Sequence, residues 1–218
     1  MTNRKHFVDE LNDLNNKVIL MGEQVYNSYV KLISVCKAKD MDLAQQIMEQ
    51  DKLINELEVS INVDAYLLIA KQCPVASDLR RIITALKISN ELERIADYTV
   101  NIAKYFVKTR NNDQQFLDRI VTLASFVMEM LEGIMEAFER EDVALALKVN
   151  DADEELDEEY ETYVVDLMKI AKTASDEETE VAMRALLALK QIERAGDHVT
   201  NIAENIVYLV NGKRVELN

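Results

Sequence analysis

The sequence predicts an all-α protein built as two tandem three-helix bundles related by internal duplication. Three observations carry that expectation. The phrase Glu93-Arg94-Ile95-Ala96-Asp97, followed by Asn101-Ile102-Ala103, returns one hundred residues later as Glu193-Arg194-Ala195-Gly196-Asp197 with Asn201-Ile202-Ala203. Eight of the nineteen positions from Ala85 to Ala103 match their partners in Ala185 to Ala203, the self-similarity of a repeated structural unit. Four Gly and one Pro in 218 residues leave little punctuation for strands and turns, and apolar residues recur at helical spacing over six long segments.

The segments run at about 5–37, 41–72, 77–109, 115–139, 142–173 and 177–211. Asp40 is placed to cap the second, because its side-chain oxygen can satisfy free N–H groups of a first turn. Pro74 ends that segment and Ser77 can cap the third. Asn111-Asn112-Asp113 breaks the chain before the fourth. Asp142 is placed to cap the fifth, and Gly212 sits where the last helix needs positive φ.

The repeat extends beyond the opening phrase. Asp40-Met41-Asp42-Leu43-Ala44 aligns with Asp142-Val143-Ala144-Leu145-Ala146, Asp51 with Asp153, Val25 with Val127 and Leu32 with Ile134, all at an offset of 102. The last helix of each copy is offset by only 100, so the second copy is two residues shorter between its middle and last helices. The expected units are 1–111 and 112–218, each an up-down-up helical hairpin, packed as one compact six-helix body.

Composition narrows the function. A formal charge of −15 repels phosphate backbones and anionic bilayers, and suits cations or a basic protein surface. No apolar run approaches the roughly 20 residues that cross a bilayer, and the N-terminus is no secretory leader. Cys36 and Cys73 form no CxxC and read as reduced, partly buried thiols of a cytoplasmic protein. Met128, Met130 and Met135 fall at spacings that read as adaptable core filling.

The carboxylates are the chemistry-bearing feature. Glu93 and Asp97 are four apart, hence one turn above each other on one helix face, and Glu193 and Asp197 repeat this. Asn101 and Asn201 follow one turn later and offer amide oxygens. On the middle helices Asp51 and Asn55 are again four apart, and their partners Asp153 and Asp157 form another acidic pair. If middle and last helices are antiparallel neighbours, these pairs converge into a hard-oxygen site for Fe, Mn, Mg or a related cation. The bland alternative is a set of solvated acids, since duplication copies harmless residues too. Arg94 and Arg194, about 100° round the helix, read as poor partners for the same acids, and His198, opposite Tyr98 in the alignment, reads as a local hydrogen-bonding residue. The cluster from Asp151 to Glu161 holds no turn residue and reads as continuous helix.

Catalytic readings find no support. Neither histidine has a glutamate three residues before it, as a ferritin-like di-iron site requires. No P-loop, GxSxG or HExxH occurs. The expectation is a non-enzyme.

Pro74-Val75-Ala76-Ser77-Asp78-Leu79-Arg80-Arg81, then Glu91-Leu92-Glu93-Arg94-Ile95-Ala96-Asp97, then Ile192-Glu193-Arg194-Ala195-Gly196-Asp197-His198 with Asn201-Ile202-Ala203-Glu204, together resemble the signature of the PhoU family of phosphate-signalling proteins. The resemblance covers essentially the whole chain. It implies metal clusters, multinuclear iron in some members, held by E/DxxxD pairs. By position these are Glu93 with Asp97, Glu193 with Asp197, Asp153 with Asp157 and the weaker Asp51 with Asn55. Asn55 departs from the acidic pattern, and Ala96 stands where a glycine is common. The resemblance also implies a cytoplasmic adaptor between the nucleotide-binding subunit of a phosphate ABC importer and a sensor histidine kinase, without direct nucleic-acid binding and with membranes reached only through partners. A homodimer through apolar faces is compatible with it. A metal-storage or redox bundle and a metal-free helical scaffold are the competing expectations.

Overall fold

The structure is a computed structural model that describes residues 2–109 and 113–217. Seven α-helices follow in order: α1 Thr2–Ala38, α2 Met41–Gln72, α3 Ser77–Thr109, α4 Gln114–Arg140, α5 Val143–Asp151, α6 Asp153–Ala171 and α7 Asp176–Asn211. No strand occurs among the described residues. The first unit is α1 to α3, and the second is α4, the broken pair α5 and α6, and α7.

Helix boundaries follow from local chemistry. Asp40 accepts from the Asp42 and Leu43 amides, at 2.9 and 3.2 Å, and Asp142 accepts from the Leu145 amide at 3.0 Å. Each cap follows a residue with positive φ, Lys39 at 55° and Glu141 at 52°, so the same tight turn is used twice at the repeat offset. Asp113 caps α4 through the Gln115 amide, whereas the expected break at Asn111 and Asn112 lies outside the described residues. Gly212 closes α7 with φ of 69°, its N–H bonded to the Tyr208 carbonyl.

Three expectations are corrected. Ser77 is the first residue of α3 and not its cap; Ala76 stands before it with φ of 51°, its carbonyl accepting from Arg80. Cys73 is exposed, because it forms the left-handed end of α2 just before Pro74, while Cys36 is buried as expected. The segment 142–173 is two helices. At Ala152 the backbone N–H reaches Val149, three residues back, and this tightened turn divides α5 from α6. The shorter connection before α7 uses a reciprocal cap, with Ser175 and Glu178 each bonding the other's backbone N–H.

The units pack as mirrored partners. α1 lies against α2, α3 and α4, α4 against α1, α5, α6 and α7, and α3 against α7. Thus α1, α3, α4 and α7 enclose the centre, with α2 and the α5–α6 pair on opposite flanks. One apolar core runs through both units, from Leu14, Val18 and Met21 on α1 to Ile192, Val199 and Ile206 on α7. Of the methionines expected to fill space, Met130 is buried and Met128 and Met135 pack partly buried against the core. The helices α3 and α7 run antiparallel, since Glu91 meets His198 and Asn201 while Asn101 meets Gln191. This seam brings the two copies of the repeated phrase side by side.

Candidate functional site

In each unit the repeated phrase lies on the last helix and faces the middle helix. The first unit presents Glu93 and Asp97 of α3 to Asp51 and Asn55 of α2. Asp51 and Asp97 are close enough for the Asp97 charge to raise the Asp51 pKa, second to burial. Glu93 is likewise raised by burial, against a lowering by Arg94 and with further raising by Asp97, Glu58 and Asp51. Its carboxylate lies 3.6 Å from Arg94 Nε, so the adjacent arginine bends back toward an acid that the helical wheel placed out of its reach.

The first unit also supplies its own donors. The Asn55 amide donates to Asp51 Oδ2 at 3.2 Å, and the Asn101 amide donates to Asp97 Oδ2 at 3.2 Å. Hence Asn101 contributes its N–H here, where the sequence suggested an amide oxygen. These bonds spread the acidic charge without any cation.

The second unit differs at each of those points. Asp157 replaces Asn55 and brings no donor. Asn201 turns to Glu91 across the seam, at 3.2 Å, again through its amide N–H. Asp153 is only 6% exposed, and its Oδ1 is buried with no hydrogen-bond partner. Glu193 is nearly as enclosed: Lys190 takes one oxygen, and the other, Oε2, is buried and unpaired. Burial first, then the charges of Asp157, Asp197 and Glu193, push Asp153 up to about 7. Asp157 is raised by burial and by Glu193, and Asp197 by burial and by Asp157. An unpaired buried carboxylate oxygen is costly, and two in one acidic set call for a cation or a proton.

Gly196 makes the second cluster possible. A Cβ there would overlap Asp153 Oδ1 and Leu156 Cδ2, so only glycine lets α6 press its first turn onto α7. The break at Ala152 re-aims that turn. Ala96 occupies the matching place in the first unit, where Asp51 is only half-buried.

The oxygen set suits a hard cation, and the orphaned Asp153 and Glu193 atoms fit one. Among the described residues, however, no three His, Cys, Asp or Glu side chains are closed on a single point. His198 joins the two units. Its Nδ1 lies 2.6 Å from Glu91 Oε2 and its Nε2 3.1 Å from the Tyr98 hydroxyl. It is a hydrogen-bonding residue, but across the seam and not locally. The signal that could have found this network is the mismatch of Tyr98 with His198 and of Glu91 with Gln191 inside an otherwise repeated phrase.

Fold and site together define a class: a duplicated helical bundle with an acidic half-site in each copy, one self-satisfied and one short of positive charge. The family model of the PhoU domain matches twice, over residues 18–106 and 120–206. The chain belongs to the PhoU family. It is 34% identical to the phosphate-specific transport system accessory protein PhoU of Escherichia coli over 208 residues, 95% of this chain and 86% of that protein. It is 29% identical to the PhoU homolog of Clostridium acetobutylicum over 218 residues, covering 99% of each. The crystal structure of PhoU from Pseudomonas aeruginosa superposes with a TM-score of 0.88 at 31% identity, over 95% of this chain and 100% of that one. The phosphate transport system regulatory protein PhoU of Streptococcus pneumoniae gives 0.86 at 25% identity, over 96% and 99%. No helix among the described residues is long and apolar enough to cross a membrane.

Proposed function

We propose that this protein is a non-enzymatic, cytoplasmic regulator of phosphate uptake and of phosphate-starvation signalling. It acts by docking between the nucleotide-binding subunit of a phosphate ABC importer and a sensor histidine kinase. The observation that carries this reading is its 34% identity, across 95% of the chain, to a protein named as an accessory of phosphate-specific transport. An all-helical body whose sequence holds no P-loop, GxSxG or HExxH supports action by binding.

The same reading places cations on the acidic sets. Asp153, Asp157, Glu193 and Asp197 would hold the stronger site, and Glu93, Asp97, Asp51 and Asn55 the weaker, with Asn101 and Asn201 at their edges. A bound iron or other hard cation would supply the positive charge that Asp153 Oδ1 and Glu193 Oε2 lack. Asn55, already donating to Asp51, weakens the need for one in the first unit.

The test is a pull-down from phosphate-replete cells with wild type and the double variant Asp97→Asn/Asp197→Asn, with metal analysis of both eluates. The wild type should recover the importer ATPase and the kinase and carry metal, and the variant should lose metal. Recovery of neither partner by the wild type sinks the adaptor reading. Equal metal content in both eluates sinks the carboxylate sites, and no metal in either leaves a metal-free scaffold.

A further inference from the structure

The two units are not covered to the same depth at equivalent ends. Matching ion pairs fix the register: Lys17 meets Asp64 at 2.5 Å, and Arg119, 102 residues on, meets Asp166, 102 residues on, at 3.4 Å. N-terminal to Lys17, α1 continues back to Thr2 and buries Leu14, Leu11 and Phe7 at helical spacing. N-terminal to Arg119, α4 reaches back only to Gln114. Phe116 matches Leu14, but the positions aligned with Leu11 and Phe7 fall outside α4. Among the described residues, nearly three helical turns that extend α1 over the first unit have no counterpart on α4.

The consequence is visible on the neighbouring helices. Leu68 at the end of α2 is 4% exposed, whereas Ile170, aligned with it on α6, is 47% exposed. Buried Ile82 and Ile88 of α3 are matched on α7 by Ala182 and Ala188, which fill less space. Beside them Val181 is 53% exposed. Together these residues leave a groove of about 430 Å³, lined by Phe116, Leu167, Ile170, Val181, Ala182 and Ala185. Its basic wall residue, Arg119, is already engaged by Asp166 and by the Tyr163 ring, 4.8 Å away. Its rim carries the acids Glu177 and Glu178.

We propose that this groove docks an amphipathic α-helix of a partner protein, with apolar residues at i and i+4 and basic residues on its outer side. The first unit supplies the template, since Phe7 and Leu11 occupy the equivalent place with that spacing, while the place of Leu14 is already taken here by Phe116. Helix-in-groove recognition uses the same anchors. The acidic rim, on a chain of net charge −15, selects a basic segment. A second copy is the poorer occupant: its own Phe7 and Leu11 are buried at home, and two such charged bodies repel. The proposal needs neither the cation sites nor the phosphate reading.

The probe is a fluorescein-labelled 15-residue helical peptide with Phe and Leu at i and i+4 on an Ala/Lys background, titrated with the full chain by anisotropy. Binding is expected with Kd of order 10–100 μM, and loss when the two apolar residues become Ser. Ile170→Ser/Val181→Ser alters only half-exposed side chains, so the fold is kept, and should weaken binding at least about tenfold. Ala182→Ile restores the residue of the first unit and should block the groove to a similar degree. Equal binding by wild type and Ile170→Ser/Val181→Ser, or none at about 1 mM, overturns the proposal. So does wild-type self-association that Ala182→Ile abolishes while the peptide fails to bind.

Discussion

A Cβ added at Gly196 would overlap Oδ1 of Asp153, so any larger residue there must push that carboxylate aside. The matching pair in the first unit, Ala96 and Asp51, leaves the acid half-buried. One methyl group therefore separates a packed acidic cluster from a looser one.

Gly196→Ala should lower stability even though alanine is the better helix former. The helix gains about 1 kcal/mol, while forcing Asp153 and Leu156 aside costs about 1–3 kcal/mol, for a net loss of up to about 2 kcal/mol. Ala96→Gly should lose about 1 kcal/mol through helix propensity alone. Urea denaturation of both variants checks the pair.

Stability of the chelated, metal-free protein should fall as pH rises. Asp153 has a folded-state pKa of about 7, above the ordinary aspartate value near 3.9 in an unfolded chain. Its contribution is therefore fully present below about pH 4 and is lost as pH rises through about 7. Asp157, Asp197, Asp51 and Glu93 are shifted the same way. Denaturation midpoints measured from pH 5 to pH 8 should decline, and Asp153→Asn should flatten the decline and be the more stable protein at pH 8. A wild type that grows steadily more stable up to pH 8 after chelation contradicts the buried cluster.

Much of this fold was legible in the residues. The repeat offset, the Asp40 and Asp142 caps and the Gly212 terminus each rest on local rules, and each stands where the sequence put it. The break at Ala152 was not legible, because the stretch from Asp151 to Glu161 has strong helical spacing and no Gly or Pro; just past it Asp153 and Leu156 pack against Gly196, forty-odd residues on. The acids were found by their repetition, but their inequality was not. It combines the donor that Asn55 brings and Asp157 does not, the bond of Asn201 to Glu91 on the other unit, and the close approach of Asp153 to Gly196. The Glu91–His198–Tyr98 network escaped because its members are far apart in sequence and do not repeat.

Removal of that shared acceptor should be costly. Glu91→Ala leaves His198 Nδ1 and Asn201 Nδ2 without the oxygen they both use, a loss of about 1–3 kcal/mol. Glu91→Gln, which installs the residue found at the aligned position 191, keeps an acceptor and should lose less. The difference should be measured by thermal denaturation, with His198→Ala as background. If Glu91→Ala costs the same with and without His198, the two residues are not coupled.

The repeated ion pairs should be unequal in worth. Lys17 with Asp64 is a half-exposed pair and should contribute about 0.2–1 kcal/mol. Arg119 also stacks on the Tyr163 ring and is itself only 16% exposed, so Arg119→Ala should cost about 0.5–1 kcal/mol more than Lys17→Ala. Parallel double-mutant cycles with Asp64→Asn and Asp166→Asn separate the charge contribution from the stacking.

Asn55→Asp, which gives the first unit the acid of the second, should raise its appetite for a cation at the expense of the bare protein. Without metal the variant should melt lower, since Asp51 loses a donor and gains a like charge. With millimolar Mn²⁺ the deficit should shrink or reverse. An identical melting difference with and without metal argues against cation binding at that position.

Because a single apolar core is shared by both copies, the ancestral gene doubling cannot now be undone. Either copy expressed alone would expose the flanks of α1 and α3, or of α4 and α7, that its sibling covers. Neither half is an heir to the free-standing ancestor, and heat or denaturant should melt both together in a single step.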